Sequence, residues 1–366
     1  MILFFSSPIG LGHITRDIAI INKIIELYEY NNFEIVTGSI AFDFISNWNR
    51  TLFSNMISIY NLYNPPVFSI SNGKLNHGFL WLLRYIYYYT NCKRILKGFL
   101  SKEKYNFRNK ENDNSKLIIS DEDLASLSVI KNNKTKRIFI TDILNTNFSK
   151  SFVFSKFEKV LNHQMYELIK SSESIIIPET GQNKDNFFYV GPIVREVDGT
   201  RDELRKKLAF EKKTILVSPG GTTAGSYLLK KTIDSFKRLK NNYEYDLVII
   251  SNPKVQTPKL SSNCRYIGLQ NNGHEYVYAS DLIISLAGKS TIDESIVYGT
   301  PGIFIPIKDH FEQEQRAKSL GFQYNDMYRL KELLEAKLEH TINKRLKRVE
   351  NGVSKAAKII FQVLNN

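Results

Sequence analysis

The chain has 366 residues, 42% of them hydrophobic and 24% charged, with 50 Lys and Arg against 37 Asp and Glu for a formal net charge of +13. That length is too great for one comfortable core and fits two domains of about 150–200 residues each, and the composition excludes general disorder. The charge favours an anionic partner without choosing among nucleic acid, an acidic bilayer and a phosphorylated small molecule.

Cys92 and Cys264 lie far apart, in no metal-ligand spacing, and read as free thiols in a reducing compartment. The start, Met1 to Pro8, has a short apolar run and no basic leader, so it is expected to be a first buried strand over Ile2–Phe5 rather than a signal peptide. No apolar stretch approaches the roughly 20 residues that a spanning helix needs.

Apolar residues at Ile14, Ile18, Ile21, Ile25 and Tyr28 follow the helical period. Glu34–Val36 is a second strand, and a poorly patterned region follows. Leu117–Ile119 then leads through Ser120, Asp121 and Glu122 into a helix ending near Val129, and Arg137–Ile140 is a strand closed by Thr141 and Asp142. Ser174–Ile177 and Phe188–Val190 continue the series up to Gly191-Pro192. Charged residues from Arg195 to Lys207 show no clear buried face. Thr214–Val217 restarts the pattern, with strands expected at Asp246–Ile250, Arg265–Ile267, Leu282–Ser285 and Gly302–Pro306 and helices between them. Val353, Ala356, Ala357, Ile360, Val363 and Leu364 mark a final amphipathic helix. Short strands alternating with longer amphipathic segments argue for parallel sheets covered by helices, in two similar α/β halves. The expected division is 1–192, 193–345 and a last helix over 346–366 that crosses back to the first half.

Three loops carry chemistry. The first, Ser6 to His13, places Gly10 and Gly12 between strand and helix and sets His13 at the carboxyl edge of the sheet. Its spacing is G-x-G-H, and Thr37-Gly38-Ser39 rather than an acidic residue follows the second strand, which disfavours a dinucleotide site. The second, Ser218 to Gly225, offers the amides and hydroxyls of Gly220, Gly221 and Thr222 to a diphosphate; a plain glycine turn is the structural alternative. The third runs from Asp281 to Gln315. Gly288-Lys289-Ser290-Thr291 suggests a P-loop, but Ile283 stands where its first glycine belongs. Gly288 instead begins a strand-to-helix turn. Glu294 on that helix can accept two ribose hydroxyls or merely cap the helix, and His310, Glu312 and Gln313 can bind sugar hydroxyls.

Together these loops resemble the GT-B glycosyltransferases related to the bacterial enzyme that adds N-acetylglucosamine to the lipid-linked peptidoglycan precursor, and the archaeal relatives of that family-28-like group. The resemblance covers almost the whole chain and is most specific from Asp281 to Ala317. It implies two Rossmann-like domains facing across a cleft, with the first glycine-rich loop meeting acceptor and reacting sugar and His13 matching the family's histidine. It further implies that Gly220, Gly221 and Thr222 meet the donor diphosphate, that Glu294 holds the ribose, and that Glu312 and Gln313 contact the donor sugar. Two positions depart from the pattern: Leu286 stands where many relatives have His or Arg, and Arg316 where asparagine is common.

The expected activity is inverting transfer of a hexose or N-acetylhexosamine from a UDP-linked donor to an acceptor hydroxyl, with no metal and no cofactor. His13 is the first candidate base, and Asp121 and Asp142 are alternatives or orienting groups. The D-x-D spacing of Asp121-Glu122-Asp123 sits at a helix start and reads as a cap. The aromatic run Phe79 to Tyr89, followed by Lys93, Arg94, Lys97, Lys102 and Lys104, suits the surface of an anionic bilayer or, equally, a core helix with a basic tail. Hence the acceptor is expected to be lipid-linked or a glycan, and the protein cytoplasmic, peripheral at the membrane. The rivals are a UDP-sugar 2-epimerase of the same fold and a non-enzymatic nucleic-acid-binding protein; the scattered Lys and Arg and the lack of a recognition module disfavour the latter.

Overall fold

The computed structural model describes residues 1–366 apart from 53–56, 102–116, 131–134, 150, 253–254, 256–258 and 341–344. Lys102 and Lys104 therefore lie outside the described residues. The chain forms two compact units, one from Met1–Val67, His77–Arg195 and Asn351–Asn366, the other from Phe68–Asn76 and Glu196–Glu350.

In chain order the first unit begins with β1 (Ile2–Ser6), α1 (Gly12–Tyr28), β2 (Phe33–Gly38), α2 (Ser39–Leu52) and β3 (Ser58–Tyr63). A small antiparallel hairpin, β4 (Ile70–Ser71) and β5 (Lys74–Leu75), belongs to the second unit. The first unit resumes with α3 (Gly78–Leu100), β6 (Leu117–Asp121), α4 (Leu124–Val129), β7 (Lys136–Ile140), α5 (Phe152–Lys170), β8 (Ser174–Ile177) and β9 (Phe187–Tyr189). Its seven strands pair in the order β3-β2-β1-β6-β7-β8-β9, each pair parallel. Strands buried on both faces read as unbroken apolar runs, and Ile2, Leu3, Phe4 and Phe5 are all essentially inaccessible.

The second unit follows with α6 (Arg201–Lys207), β10 (Lys213–Ser218), α7 (Ser226–Lys237), β11 (Tyr245–Ile249), β12 (Cys264–Tyr266), α8 (Gly273–Ala279), β13 (Leu282–Leu286), α9 (Lys289–Tyr298), β14 (Gly302–Ile305), α10 (Phe311–Ser319) and α11 (Leu330–His340). Its sheet has the order β12-β11-β10-β13-β14, again parallel. The charged stretch that showed no buried face contains α6. Thr200 and Glu203 cap that helix reciprocally, and Arg205 Nη1 donates to Asp281 Oδ2 at 2.9 Å, so charge pairing and a capping box replace an apolar stripe.

The last helix, α12 (Val353–Asn365), packs in the first unit against α1. Its Val353, Ala356, Ala357, Ile360 and Leu364 are buried, and Phe361 stacks on Tyr28 with ring centroids 3.8 Å apart. Asn351 pins its entry: Nδ2 donates to the Val194 carbonyl at 2.9 Å and Oδ1 accepts from the Val194 amide at 3.2 Å.

Both sheets are doubly wound. In the first, strand order runs outward in opposite directions from β1 and β6; in the second, from β10 and β13. Ligands of open α/β sheets bind beyond the carboxyl ends of the strands at such reversals. The loops after β1, β6, β10 and β13 are therefore where chemistry is expected.

Candidate functional site

In the first unit, β1 and β6 run in register with Ser6 opposite Asp121, which brings the β1–α1 loop beside the end of β6. His13, near the start of α1, lies with its Nδ1 at 2.9 Å from Asp121 Oδ1. Arg16 stands one helical turn on, so its guanidinium shares that face. Its Nε donates to Asp121 Oδ2 at 2.8 Å, its Nη2 pairs with Oδ1 of the same carboxylate, and its Nη1 donates to Asp142 Oδ1 at 3.3 Å. His13, Asp121 and Asp142 are thus gathered around one arginine.

His13 Nδ1 faces both the accept-only Asp121 at 2.9 Å and the donor-only Arg16 Nη2 at 3.3 Å; the shorter contact, to a fully buried carboxylate, favours the ring proton on Nδ1 and the lone pair on Nε2. His13 Nε2 lies 3.6 Å from Glu122 Oε2. Glu122 itself has φ +50 and accepts from Thr141 Oγ1 at 3.2 Å. Burial would raise the Asp121 carboxyl, but the Arg16 charge and the bonds from His13 and Arg16 hold it well below the usual range. Burial pushes Glu122 up to about 8, with Asp142 and Asp121 adding to the rise against the lowering pull of His13 and Arg16. For His13, burial acts downward, yet Glu122 and Asp121 outweigh it and the imidazole lies above its ordinary value. Asp123, next in the chain, caps α4 by accepting from the Ala125 amide at 3.0 Å.

In the second unit, Ser218 stands opposite Ser285 across β10 and β13, so the loops that follow each strand are neighbours. Gly220 has φ +97, a backbone state that disfavours any side chain. The Gly221 carbonyl accepts from Asn252 Nδ2 at 2.8 Å, and Thr222 Oγ1 accepts from the Ala224 amide at 3.3 Å, which fixes the loop's shape before any ligand enters. Gly288 caps α9 without a side-chain bond, so the amides of Lys289, Ser290 and Thr291 occupy the helix's amino end. Lys289 Nζ lies 3.0 Å from Asp293 Oδ2. Leu286 packs against the unit's apolar core. Glu294 lies in α9, half-buried.

The strand β14 leads into Lys308, Asp309 and His310. Gln313 Oε1 accepts from the Ile307 amide at 3.1 Å, and Glu314 Oε1 from the Asp309 amide at 3.1 Å. Glu312 pairs with Arg316 one turn on, which gives that unexpected arginine a structural role. His310 is buried and its imidazole is pushed below the ordinary value, chiefly by burial.

Gly12 opens α1 in the first unit, whereas Gly220, Gly221, Thr222, Gly288, Lys289, Ser290, Thr291, Glu294, His310, Glu312 and Gln313 belong to the second. Sequence reasoning gave no role to Arg16 or Glu122. Arg16 was detectable as the basic residue three positions after His13 on one helix; Glu122 was visible only as the middle of D-x-D, where spacing suggested a cap. Among the described residues no group of three or more His, Cys, Asp or Glu side chains is arranged to hold a metal ion.

Two parallel, doubly wound Rossmann-like domains define the GT-B architecture of glycosyltransferases. Residues 214–363 match the glycosyltransferase family 28 C-terminal domain, to which this part of the chain is related. An uncharacterized glycosyltransferase of Methanosarcina mazei is 25% identical over 224 residues, which cover 56% of this chain and 58% of that protein. The UDP-N-acetylglucosamine–N-acetylmuramyl-(pentapeptide) pyrophosphoryl-undecaprenol N-acetylglucosamine transferase of Thermosipho africanus is 29% identical over 125 residues, 33% of this chain and 36% of that one. These matches thus span less than two thirds of those relatives. Among solved structures, the glycotransferase of kitacinnamycin superposes with a TM-score of 0.61 at 12% identity, covering 99% of this chain and 98% of its own.

Proposed function

We propose that the chain is an inverting, metal-independent glycosyltransferase that moves a hexose or N-acetylhexosamine from a UDP-linked donor to an acceptor hydroxyl. The observation that carries this reading is His13, held through Nδ1 by the buried Asp121 carboxylate at the switch point of one Rossmann-like unit. A histidine oriented this way can take the acceptor's proton at Nε2 while Asp121 stabilises the imidazolium. The acceptor oxygen then attacks the anomeric carbon from the face opposite the leaving nucleoside diphosphate, which inverts the configuration. Asp121 and Asp142 are poor bases, since both carboxylates are engaged by Arg16. Charge on the leaving group would be met by the amides of Gly221, Thr222 and Lys289, a dipole-based solution that requires no ion. Glu294 would hold the ribose and Glu312 and Gln313 the sugar.

A peripheral place at the cytoplasmic face of a membrane, with a lipid-linked acceptor, is supported by an exposed apolar band beside positive charge. On α3 Tyr87 is 72% exposed, and on α5 Phe152 and Val153 are 74% and 70% exposed. The two helices meet where Phe79 stacks on Phe154, ring centroids 4.1 Å apart. Arg94 and Lys97 on α3 and Lys156 and Lys159 on α5 are exposed. Among the described residues no helix is long and apolar enough to cross a membrane. Product analysis with radiolabelled UDP-sugars, with and without a lipid extract, tests the reading. Label transferred to an extractable lipid or a glycan supports it; conversion to an epimeric UDP-sugar without acceptor replaces it with an epimerase.

A further inference from the structure

The hairpin at Phe68–Asn76 interrupts the chain of the first unit yet folds as part of the second. At its tip Asn72 and Gly73 have φ +48 and +74, the type I′ geometry that Asn-Gly favours. The tip is clamped: a Cβ on Gly73 would stand 3.1 Å from Met327 Cε and 3.2 Å from Tyr227 Cδ1, and Tyr324 Oη donates to the Asn72 carbonyl at 2.8 Å.

An isolated parallel bridge between Lys74 and Lys308 ties the hairpin to the segment that follows β14. The Lys308 amide donates to the Gly73 carbonyl at 2.9 Å, and the Leu75 amide donates to the Lys308 carbonyl at 2.8 Å. The loop after β14 therefore has all of its first four amides engaged: Ile307 by Gln313, Lys308 by the hairpin, Asp309 by Glu314, and His310 by the Ile307 carbonyl. The Lys308 bonds come from outside the loop and its own helix. Asp309 takes φ +67, an unfavourable state for a side-chain-bearing residue that needs its surroundings to hold it. Hairpin side chains reach both residues that follow Lys308. Lys74 Nζ lies 3.7 Å from Asp309 Oδ2, and the Phe68 ring packs at 5.1 Å from the His310 ring.

We propose that this hairpin is a specificity-determining element of the donor-sugar loop, with Lys74 and Phe68 as positioning residues for Asp309 and His310. The proposal rests on the reading of His310, Glu312 and Gln313 as the part of the donor site that meets the sugar. It separates two parts of donor recognition: the nucleotide is held by α9 and the glycine loop after β10, whereas the sugar's fit depends on a segment that the first half of the sequence contributes.

Three variants test it: Lys74→Glu, which sets a like charge beside Asp309; Lys74→Arg as the conservative rescue; and Gly73→Val, which unseats the tip. Hydrogen exchange in the absence of donor should quicken at Ile307–Gln313 in Gly73→Val and remain unchanged at α9. For Lys74→Glu, KM for the preferred donor of the pair UDP-glucose and UDP-N-acetylglucosamine should rise about threefold to tenfold, the scale of losing and reversing one partly exposed charge pair. The preference between the two should narrow, the Kd of UDP alone should stay within about twofold, and Lys74→Arg should restore KM. Unchanged exchange in Gly73→Val overturns the hairpin's role and leaves the donor reading standing. A parallel rise of KM and UDP Kd in Lys74→Glu also overturns it, since that is general loosening. Wild-type protein that binds no UDP overturns the donor reading and this proposal with it.

Discussion

In the proposed reaction His13 depends on three neighbours. Asp121 fixes the ring, Arg16 keeps Asp121 charged, and Glu122 faces the second nitrogen. His13→Ala should lose about 10²–10⁴-fold in turnover at saturating acceptor, while UDP affinity measured by calorimetry stays unchanged; near-normal turnover would move the base elsewhere. Glu122 gives a pH-dependent signature. Its folded-state pKa of about 8 exceeds the ordinary carboxyl value, so the folded protein holds that proton more tightly than the unfolded chain. The stability this contributes is complete below the unfolded pKa and is lost as pH rises through the folded one. Glu122→Gln removes the loss, so its stability relative to wild type should grow between about pH 4.5 and 8, reaching on the order of 1–3 kcal/mol. Urea unfolding of both proteins at pH 5 and pH 8 measures this, and a pH-independent difference would refute it.

Single elements show which signals a sequence carries. The doubly buried strands were legible because double burial leaves an unbroken apolar run, as in Ile2–Phe5 and Leu282–Ile284, whereas β3, exposed or half-buried over most of its length, fell in the poorly patterned region. The helix α5 was not legible as an element of the fold, and α3 was read as a core helix only beside an equal reading as a membrane-facing segment: their apolar residues face several ways, with Trp81 and Leu96 buried and Tyr87 and Phe152 exposed, so no clean period emerges. The hairpin at Phe68–Asn76 was missed for another reason. Its two strands are too short for periodicity, and its partner, Lys308, is distant in sequence. Within α9, Glu294→Ala should weaken UDP binding by about 2–3 kcal/mol, the worth of a charge-assisted hydrogen-bond pair, and leave the melting temperature of the free protein nearly unmoved. Calorimetric titration decides between this and a capping role, for which affinity would not change. For α3, charge reversal at Lys93, Arg94 and Lys97 should reduce co-sedimentation with acidic liposomes, since each basic residue at such a surface contributes about 1 kcal/mol. The loss should match the effect of added salt on wild type, and equal sedimentation of the two proteins would remove the cluster from the membrane reading.

At the scale of the whole molecule, the chain order and the spatial order disagree at both ends of the second unit. The family 28 match runs to residue 363, past Glu350 where that unit ends and into α12, which packs on α1 in the first. The sequence displays α12 as an amphipathic helix, but periodicity names no partner; the partner is set by Tyr28, the paired small residues Ala356 and Ala357, and the anchoring of Asn351 on Val194. One consequence is measurable. Ile360 is fully buried in the first unit, and truncating such a side chain to alanine costs about 2–5 kcal/mol. UDP, by contrast, would bind residues of the second unit, and a ligand at a hundred times its Kd stabilises its own unit by about 2.7 kcal/mol. Units with separate cores can unfold as separate cooperative transitions. In differential scanning calorimetry, Ile360→Ala should therefore lower one transition, although its position in the chain falls within the family 28 match. UDP should raise the other. If Ile360→Ala lowered the same transition that UDP raises, α12 would be contributing its stability to the nucleotide-binding unit, and the division of the chain at Glu350 would be wrong.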